Sequence, residues 1–196
     1  MKSRLAACLM VVGILAGIAG CATQSSRDDA GFTTLFDGSN LNSWTLLGNA
    51  NWRLQDGLAQ AELGSGYLES RAEYGDFQIR AEFWVDAAAN SGIFFRCADP
   101  KKIGAAVCYE ANIFDTRSDP SYGTGGIPET AKVSAVVKAG NQWNTMEITA
   151  KGPQLTIVLN GVQTVNVEDR KYAKGHVALQ YGSGVVRFRK VLIKPL

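Results

Sequence analysis

The sequence predicts an all-β domain, arranged as a two-sheet antiparallel sandwich or jelly roll. Residues Phe77–Val85 (FQIRAEFWV) alternate strictly between apolar and polar side chains, which is the period of a half-buried strand. Other short β-type runs are separated by turn signals roughly every 8 to 12 residues. Beyond the N-terminal segment no convincing helical period is present. The alternative for Thr130–Lys138 is a short surface helix, which leaves the class unchanged.

The first half of the domain is predicted as short strands joined by tight turns. Turn-forming residues occur at Asp37–Asn40 (DGSN), at Gln55–Gly57 (QDG) and at Gly64–Gly66 (GSG). The predicted strands beside these turns are Thr33–Phe36, Trp52–Leu54, Leu58–Glu62, Tyr67–Ser70 and Phe77–Val85.

The second half contains two distinctive connections. Asn160–Gly161 is the strongest short signal for a hairpin turn. Thr116–Gly140 is rich in Gly, Ser, Pro and Thr, and loops of this length inside a compact domain are usually functional or disordered. Tyr122 within it is a candidate binding aromatic or part of a lid. The predicted strands are Ile93–Phe95, Tyr109–Ile113, Trp143–Ala150, Leu155–Leu159, Val162–Val167, His176–Tyr181 and Val185–Lys194.

Residues 76–115 carry polar side chains at alternate positions of three successive β-type runs. A strand sends successive side chains to opposite faces, so one face can pack into a core while the other carries charged and amide groups. Trp84, Phe94 and Phe114 lie among these groups, and polar groups mixed with flat aromatic rings suit a sugar. We expect a curved antiparallel layer to turn the polar groups toward one shared hollow. The polar residues are Arg80, Glu82, Arg96, Glu110 and Asn112.

The N-terminus is predicted to be a lipoprotein signal peptide, residues 1–20. Two basic residues precede an apolar run that is shorter than the roughly 20 residues of a membrane span, and the run ends in Ile18-Ala19-Gly20-Cys21. This ending is similar to a bacterial lipobox and predicts lipidation of Cys21; a plain signal peptide with an accidental Cys is the alternative. Ala22 after the Cys favours the outer membrane or periplasm. Residues 21–31 are predicted to be a flexible tether and residues 32–196 the folded domain.

Charge and missing motifs exclude several classes of partner and enzyme. The chain has 20 basic and 18 acidic residues, and removal of residues 1–20 leaves 18 of each. No basic stripe remains for phosphate binding, so nucleic acid is excluded as a partner. The sequence also has no Cys/His zinc cluster, phosphate-binding loop or dinucleotide fingerprint. A Ser-His-Asp triad would have to use the only histidine, His176, and the sequence has no Gly-x-Ser-x-Gly nucleophile elbow to supply the serine.

Two cysteines remain in the predicted mature domain, Cys97 and Cys108. They flank the loop Ala98–Val107 at the end of one predicted strand and the start of the next. If those strands form a hairpin, the two residues face each other, and disulfides persist in the cell envelope. We therefore predict a Cys97–Cys108 disulfide, with two buried free thiols as the alternative.

Several motifs, taken in order, resemble one bacterial domain family, the 3-keto-disaccharide hydrolase domain. They cover about the whole mature domain and include FTTLFDGSNLNSW at the start, WRLQDGL, YGDFQIRAEFWV, NSGIFFR, YEANIFD, WNTMEI and LQYGSGVVRFRKVLIKPL at the end. The resemblance implies a concanavalin A-like jelly roll that acts on glycosides oxidised to a ketone at C3. One departure is Tyr181-Gly182, where many relatives carry a His, so no role is carried over from that His.

A 3-keto sugar can be cleaved by base-catalysed elimination, because the ketone acidifies the hydrogen on C2 and the C1 oxygen is β to the carbonyl. This reaction needs a general base, donors for the enolate oxygen and an acid for the leaving group. Glu110 is the predicted base, Glu82 the second carboxylate and Arg96 the enolate ligand. The predicted substrate-binding residues are Arg80, Trp84, Asn112, Asp115, Tyr122 and Gln180.

Each of these residues also has a structural alternative. Charged side chains on a solvated sheet face commonly form cross-strand pairs worth only about 0.2–1 kcal/mol. No cofactor is required by this chemistry, although Asp115 or Asp119 is a candidate ligand for a divalent cation. The alternative to an enzyme is a lectin-like carbohydrate-binding module built on the same fold. A third alternative is a structural envelope lipoprotein that binds no sugar.

Overall fold

The computed structural model describes residues 29–99 and 101–196, and within them the domain is all β, as predicted. Thirteen strands are joined by turns, by loops and by one 3-10 turn at Pro120–Tyr122. The strands are β1 (Thr33–Phe36), β2 (Trp44–Gly48), β3 (Arg53–Gln55), β4 (Leu58–Ala61), β5 (Gly66–Ser70), β6 (Phe77–Val85), β7 (Ser91–Cys97), β8 (Tyr109–Ile113), β9 (Gln142–Lys151), β10 (Gln154–Leu159), β11 (Val162–Glu168), β12 (His176–Tyr181) and β13 (Val186–Pro195).

The strands form two antiparallel sheets. The eight-stranded sheet has the order β11-β10-β9-β6-β13-β4-β3, with β1 also paired to β13. The five-stranded sheet has the order β2-β5-β12-β7-β8. Strands β6 and β8, which both carry predicted site residues, therefore belong to different sheets.

The core lies between the sheets and follows from side-chain alternation. Every second residue of β6, from Phe77 to Val85, is buried, and the residues between them are only partly buried. Ile93 and Phe95 of β7 belong to the same apolar cluster. Burying an aliphatic or aromatic side chain of this size contributes about 1.5–3 kcal/mol, so the buried faces of these strands stabilise the fold.

A β-bulge in β7 changes the direction of the side chains after Phe95. His176 is opposite Cys97 and Ala178 is opposite Phe94, so Val177 alone faces the two residues Phe95 and Arg96. Arg96 has a φ of 53°, in the left-handed region. The extra residue reverses the alternation, and Phe94 and Cys97 consequently join one apolar cluster outside the main core.

Residues Thr130–Lys138 of the long loop after β8 form no helix, so the alternative of a surface helix there is wrong. The loop instead runs along the free edge of β8. The Asn112 backbone N–H donates to Gly126 O (3.0 Å), and the Gly125 N–H donates to Asn112 O (2.8 Å). These bonds satisfy edge groups that would otherwise be open to pairing with another strand.

The predicted signal peptide and lipidated Cys21, together with most of the tether, lie outside the described residues. Within residues 29–99 and 101–196, no helix is long and apolar enough to cross a membrane.

Candidate functional site

The candidate site is the outer face of the five-stranded sheet, which we call the five-strand face. Strand register places its residues in two adjacent rows. Ala178 is opposite both Glu69 and Phe94, and Phe94 is opposite Glu110. In the next row Gln180 is opposite Tyr67. The face is defined by Tyr67, Glu69, Gly92, Phe94, Glu110, Ala178 and Gln180.

Glu110 is the carboxylate with the most perturbed acidity on this face. Its side chain lies directly over Gly92: a Cβ at position 92 would come within 2.6 Å of Glu110 Oε1. Within the described residues its carboxylate accepts no hydrogen bond. Burial raises the pKa of Glu110 from 4.5 to about 7, and the positive charge of Arg117 opposes part of that rise. A carboxyl with this pKa can exchange a proton near neutral pH.

Two further oxygens on the five-strand face are buried without a hydrogen-bond partner among the described residues. They are Glu69 Oε1 and Gln180 Oε1. Glu69 is only 4% exposed, and burial raises its pKa, partly offset by His176. An unsatisfied buried acceptor typically costs about 1–3 kcal/mol. Hydroxyl groups of a sugar are donors that could satisfy both oxygens.

Tyr67 connects these groups to an aromatic surface. Its ring packs edge-on against Phe94, with centroids 5.5 Å apart. Burial raises the pKa of Tyr67, Glu110 raises it further, and the neighbouring Gln180 amide opposes the rise. The Tyr67 hydroxyl is therefore protonated at neutral pH and can act as a hydrogen-bond donor toward a ligand near Glu110.

The predicted disulfide is present and holds a loop beside the five-strand face. The Cα atoms of Cys97 and Cys108 are 4.3 Å apart across the bridge. Both cysteines cluster with Phe94 and Ala178, and Ile103 from the enclosed loop packs against that cluster. On the loop-entropy model a bridge closing so short a loop contributes about 2–3 kcal/mol. It also ties the described loop residues 98–99 and 101–107 to the two strands beside the site.

Arg96 does not share the five-strand face with Glu110, and the prediction that it lies on the non-core face is wrong. The bulge in β7 turns its side chain to the end of the sandwich, where it is 1% exposed. Nε donates to Gly75 O (3.0 Å), and Nη1 donates to Gly152 O (2.8 Å) and Tyr172 O (3.1 Å). Nη2 donates to Asp76 Oδ1 (2.9 Å). Arg96 thus joins three loops and has little capacity left for a substrate.

Arg80, Glu82 and Trp84 are also separated from Glu110, so the prediction of one shared hollow is wrong for them. They lie on the outer face of β6, in the other sheet, because alternation specifies a strand's two faces but not the sheet it joins. Their contacts there are Arg80 with Glu147 (3.4 Å), Glu82 with Arg189 (2.6 Å) and Trp84 with the Arg187 guanidinium (4.6 Å from the ring centroid).

Asn112 and Asp115 form hydrogen bonds that hold the long loop in place. Asn112 is 1% exposed and its side-chain amide donates to Tyr122 O (2.8 Å). The Asp115 carboxylate accepts from the Thr124 hydroxyl (2.6 Å) and the Gly140 N–H (2.9 Å). Asn112 is almost fully buried and one of its amide hydrogens is already bonded, so little of it is open to a substrate; its substrate contact stays a prediction.

No cation site emerges at the acidic residues proposed for one. The Asp115 carboxylate is surrounded by donors, and Asp119 accepts from Ser121 N (3.0 Å) and Oγ (2.6 Å). In the described part of the chain no three His, Cys, Asp or Glu side chains are grouped as metal ligands. Tyr122 has Lys132 over its ring (5.5 Å to the centroid), and its role in binding stays a prediction.

A family model described as the 3-keto-alpha-glucoside-1,2-lyase-like domain matches residues 31–194. The chain belongs to this family. The resemblance found in the sequence is therefore confirmed over most of the chain. No curated protein matches the sequence.

Solved structures support the same fold for this 3-keto-alpha-glucoside-1,2-lyase-like domain. Two proposed glycosyl hydrolases from Parabacteroides distasonis ATCC 8503 superpose with TM-scores of 0.77 and 0.70, at 19% and 24% identity. The matches cover 86% and 84% of this chain and 95% and 99% of theirs. The carbohydrate-binding module CBM66 from Bacillus subtilis has a TM-score of 0.62 at 17% identity, covering 78% of this chain and 95% of its own. At these identities the likeness shows the concanavalin-like fold alone.

Sequence reasoning named Phe94 beside the polar groups but missed Tyr67 and Glu69 as site residues of the 3-keto-alpha-glucoside-1,2-lyase-like domain. Tyr67–Ser70 was predicted as a strand, and burial of Leu68 in the core sends Tyr67 and Glu69 to the opposite face. That alternation was visible in the sequence. The pairing of β5 with β12, which brings these residues beside Gln180, was not.

Proposed function

We propose that this domain cleaves the C1–O bond of 3-keto-α-glycosides, with Glu110 as the general base. The observation that carries the proposal is the Glu110 carboxyl, which is partly buried over Gly92 with a pKa of about 7. Family membership and the unpartnered oxygens of Glu69 and Gln180 support a sugar as the ligand.

The proposed reaction begins when the Glu110 carboxylate takes the proton on C2. The electron pair of the C2–H bond forms the enolate of the C3 ketone. Collapse of the enolate forms a C1=C2 double bond and breaks the C1–O bond, and the departing oxygen takes a proton. Addition of water across the double bond, with hydroxyl at C1 and hydrogen at C2, then gives net hydrolysis. The Tyr67 hydroxyl and the Gln180 amide are donors on this face for the enolate or the leaving oxygen.

A direct displacement that uses two carboxylates fits the site less well. Glu69 lies on β5 and Glu110 on β8, with β12 and β7 between them. At about 4.8 Å per strand their backbones are roughly 14 Å apart. The two carboxyl groups of ordinary glycosidases are about 5–9.5 Å apart. A single base acting on an acidified C2 proton needs no such pair.

The test uses an aryl 3-keto-α-glucoside and the matching aryl α-glucoside that has not been oxidised. We expect aryl alcohol to be released from the ketone and not from the unoxidised sugar, because only the ketone acidifies C2. In D₂O, NMR should also show exchange of the C2 hydrogen with solvent. If the ketone shows neither release nor C2 exchange, the proposal is wrong.

The activity should depend on pH through Glu110. Burial raises its pKa to about 7, so the basic form is scarce at pH 5 and predominates at pH 8. We expect kcat/KM to rise about tenfold per pH unit below 7 and to level off above it. A profile measured from pH 5 to 9 that is flat or falls over this range would contradict the assignment of Glu110 as the base.

A second candidate is a carbohydrate-binding module without catalysis, favoured by the shared fold with CBM66. It would use the same unpartnered oxygens and the Tyr67 and Phe94 rings. NMR separates the candidates: shifts on addition of oxidised and unoxidised disaccharides, with no product after long incubation, favour the binding module.

We also propose that the domain works in the cell envelope as a lipid-anchored protein. The Cys97–Cys108 disulfide supports this location, because such bridges persist in oxidising compartments. The anchor would be Cys21.

A further inference from the structure

A groove of about 430 Å³ borders the five-strand face. Its walls are the β2 end and β5 start on one side and the disulfide-held loop on the other. Tyr67 lines the groove and also belongs to the five-strand face, so the two are continuous. The lining residues are Leu47, Gly48, Ser65, Gly66, Tyr67, Lys101, Lys102 and Ile103.

The groove is electropositive. Its lining contains Lys101 and Lys102 and no acidic residue. Both lysines are exposed, and neither forms a salt bridge with any residue that the structure describes. The rest of the lining is apolar or neutral, with Leu47 and Ile103 beside the Ser65 hydroxyl. Such a lining can hold a ring and an anionic substituent together.

The lysines are held beside the groove by their loop. The disulfide closes the loop at both ends, and Ile103 packs against the Phe94 cluster. A turn forms at Asp99, whose carboxylate accepts from the Lys101 backbone N–H (2.9 Å). Asp99 is the acidic residue of this loop. Its negative charge raises the pKa of Glu69, and it does not line the groove. Restricting the loop reduces the entropy that an ionic contact would lose on binding.

We propose that the groove binds the aglycone of the substrate, the part beyond the oxidised sugar, and that this aglycone carries an anionic group. The inference rests on the proposed function, because it treats the five-strand face as the site of the oxidised sugar. With that sugar over Glu110 and Phe94, its C1 substituent extends past Tyr67 into the groove. Lys101 and Lys102 then contact the acidic group.

The test compares 4-carboxyphenyl and 4-carbamoylphenyl 3-keto-α-glucosides, which have nearly the same shape and differ by one charge. Exposed ion pairs contribute up to about 1 kcal/mol each, so we expect wild-type kcat/KM to favour the carboxylate about three- to tenfold at low salt. The double variant Lys101→Gln/Lys102→Gln should lose this preference, so that the ratio of the two kcat/KM values falls to about one. Lys151→Gln/Lys194→Gln, on β9 and β13 of the other sheet, removes the same charge and should retain the preference.

Two results would overturn the inference: a wild-type preference of one or less, or a preference that survives loss of both groove lysines. If neither compound is cleaved, the proposed function is wrong. The assignment of the groove as an anion site is then tested by binding alone. Calorimetry with the unoxidised 4-carboxyphenyl and 4-carbamoylphenyl α-glucosides should then show tighter binding of the carboxylate, lost in the lysine variant. Equal binding of both compounds would overturn the groove assignment as well.

Discussion

Glu110→Gln is expected to lower kcat/KM for an aryl 3-keto-α-glucoside by about a hundredfold to ten-thousandfold, the usual contribution of a positioned general base. Gln has nearly the shape of Glu but cannot accept the C2 proton. The carboxylate lies over Gly92 with no hydrogen-bond partner among the described residues, so the substitution should break no contact that stabilises the fold. Stopped assays of aryl alcohol release, together with C2 exchange in D₂O, measure the loss.

The matched control is Glu82→Gln, on the outer face of the other sheet. Glu82 pairs with Arg189 in the sheet that does not carry Glu110, so its replacement should change kcat/KM less than about twofold and cost at most about 1 kcal/mol of stability. Equal losses of kcat/KM in the two variants, or full activity of Glu110→Gln, would show that Glu110 is not the general base. The base would then have to be sought among the other residues predicted from the sequence.

Denaturation of Glu110→Gln also checks that the variant is folded. The pKa of Glu110 is raised from 4.5 to about 7, so the ionised carboxylate opposes folding. This cost is absent below pH 4.5, grows between pH 4.5 and 7, and reaches about 3 kcal/mol above pH 7. The variant should therefore gain stability over wild type as pH rises from 4.5 to 8.

Arg96→Met should destabilise the domain by about 3–5 kcal/mol, because a buried guanidinium that donates four hydrogen bonds is removed and hydrogen bonds to charged groups are worth about 1.5–3 kcal/mol each. Met keeps an apolar stem but leaves the carbonyls of Gly75, Gly152 and Tyr172 without their donor, and Asp76 without its partner. Urea unfolding at neutral pH measures the effect. Arg96→Lys should recover only part of it, because one ammonium group cannot reproduce the planar set of guanidinium donors.

Arg53→Met provides the comparison for an exposed arginine. Arg53 pairs with Glu62 at 2.7 Å, but their side chains are 35% and 41% exposed, so a change of less than about 1 kcal/mol is expected. If Arg96→Met unfolds at the wild-type urea concentration yet loses activity on the ketone, Arg96 acts on the substrate as the sequence predicted, and the structural role inferred from its hydrogen bonds is wrong.

The sequence predicts the strands of this domain better than it predicts the grouping of site residues. Alternation in β6 and the Asn160–Gly161 turn are local signals, and both led to elements that the structure contains. The Cys97–Cys108 bridge followed from two residues that flank one hairpin loop. The side of the sheet taken by Glu110 also followed from local alternation with Tyr109 and Ala111.

The predicted grouping of site residues was wrong because of two features that local alternation does not encode. The bulge at Phe95 and Arg96 adds one residue opposite Val177, which sends Arg96 away from the face that a regular strand would give it. The separation of β6 from β8 into different sheets depends on long-range pairing with β9 and β13. Strand pairing of this kind is set by tertiary packing, so residues close in sequence ended on opposite surfaces of the molecule.

The absence of a side chain at position 92 gives the backbone a part in setting the acidity of the proposed base. Were alanine placed there, its methyl group would collide with the Glu110 carboxyl and push it outward, toward water. Better hydration would make that acid stronger and its conjugate base weaker. The strength of the base could thus be tuned from a neighbouring strand, with the reacting residue itself left untouched.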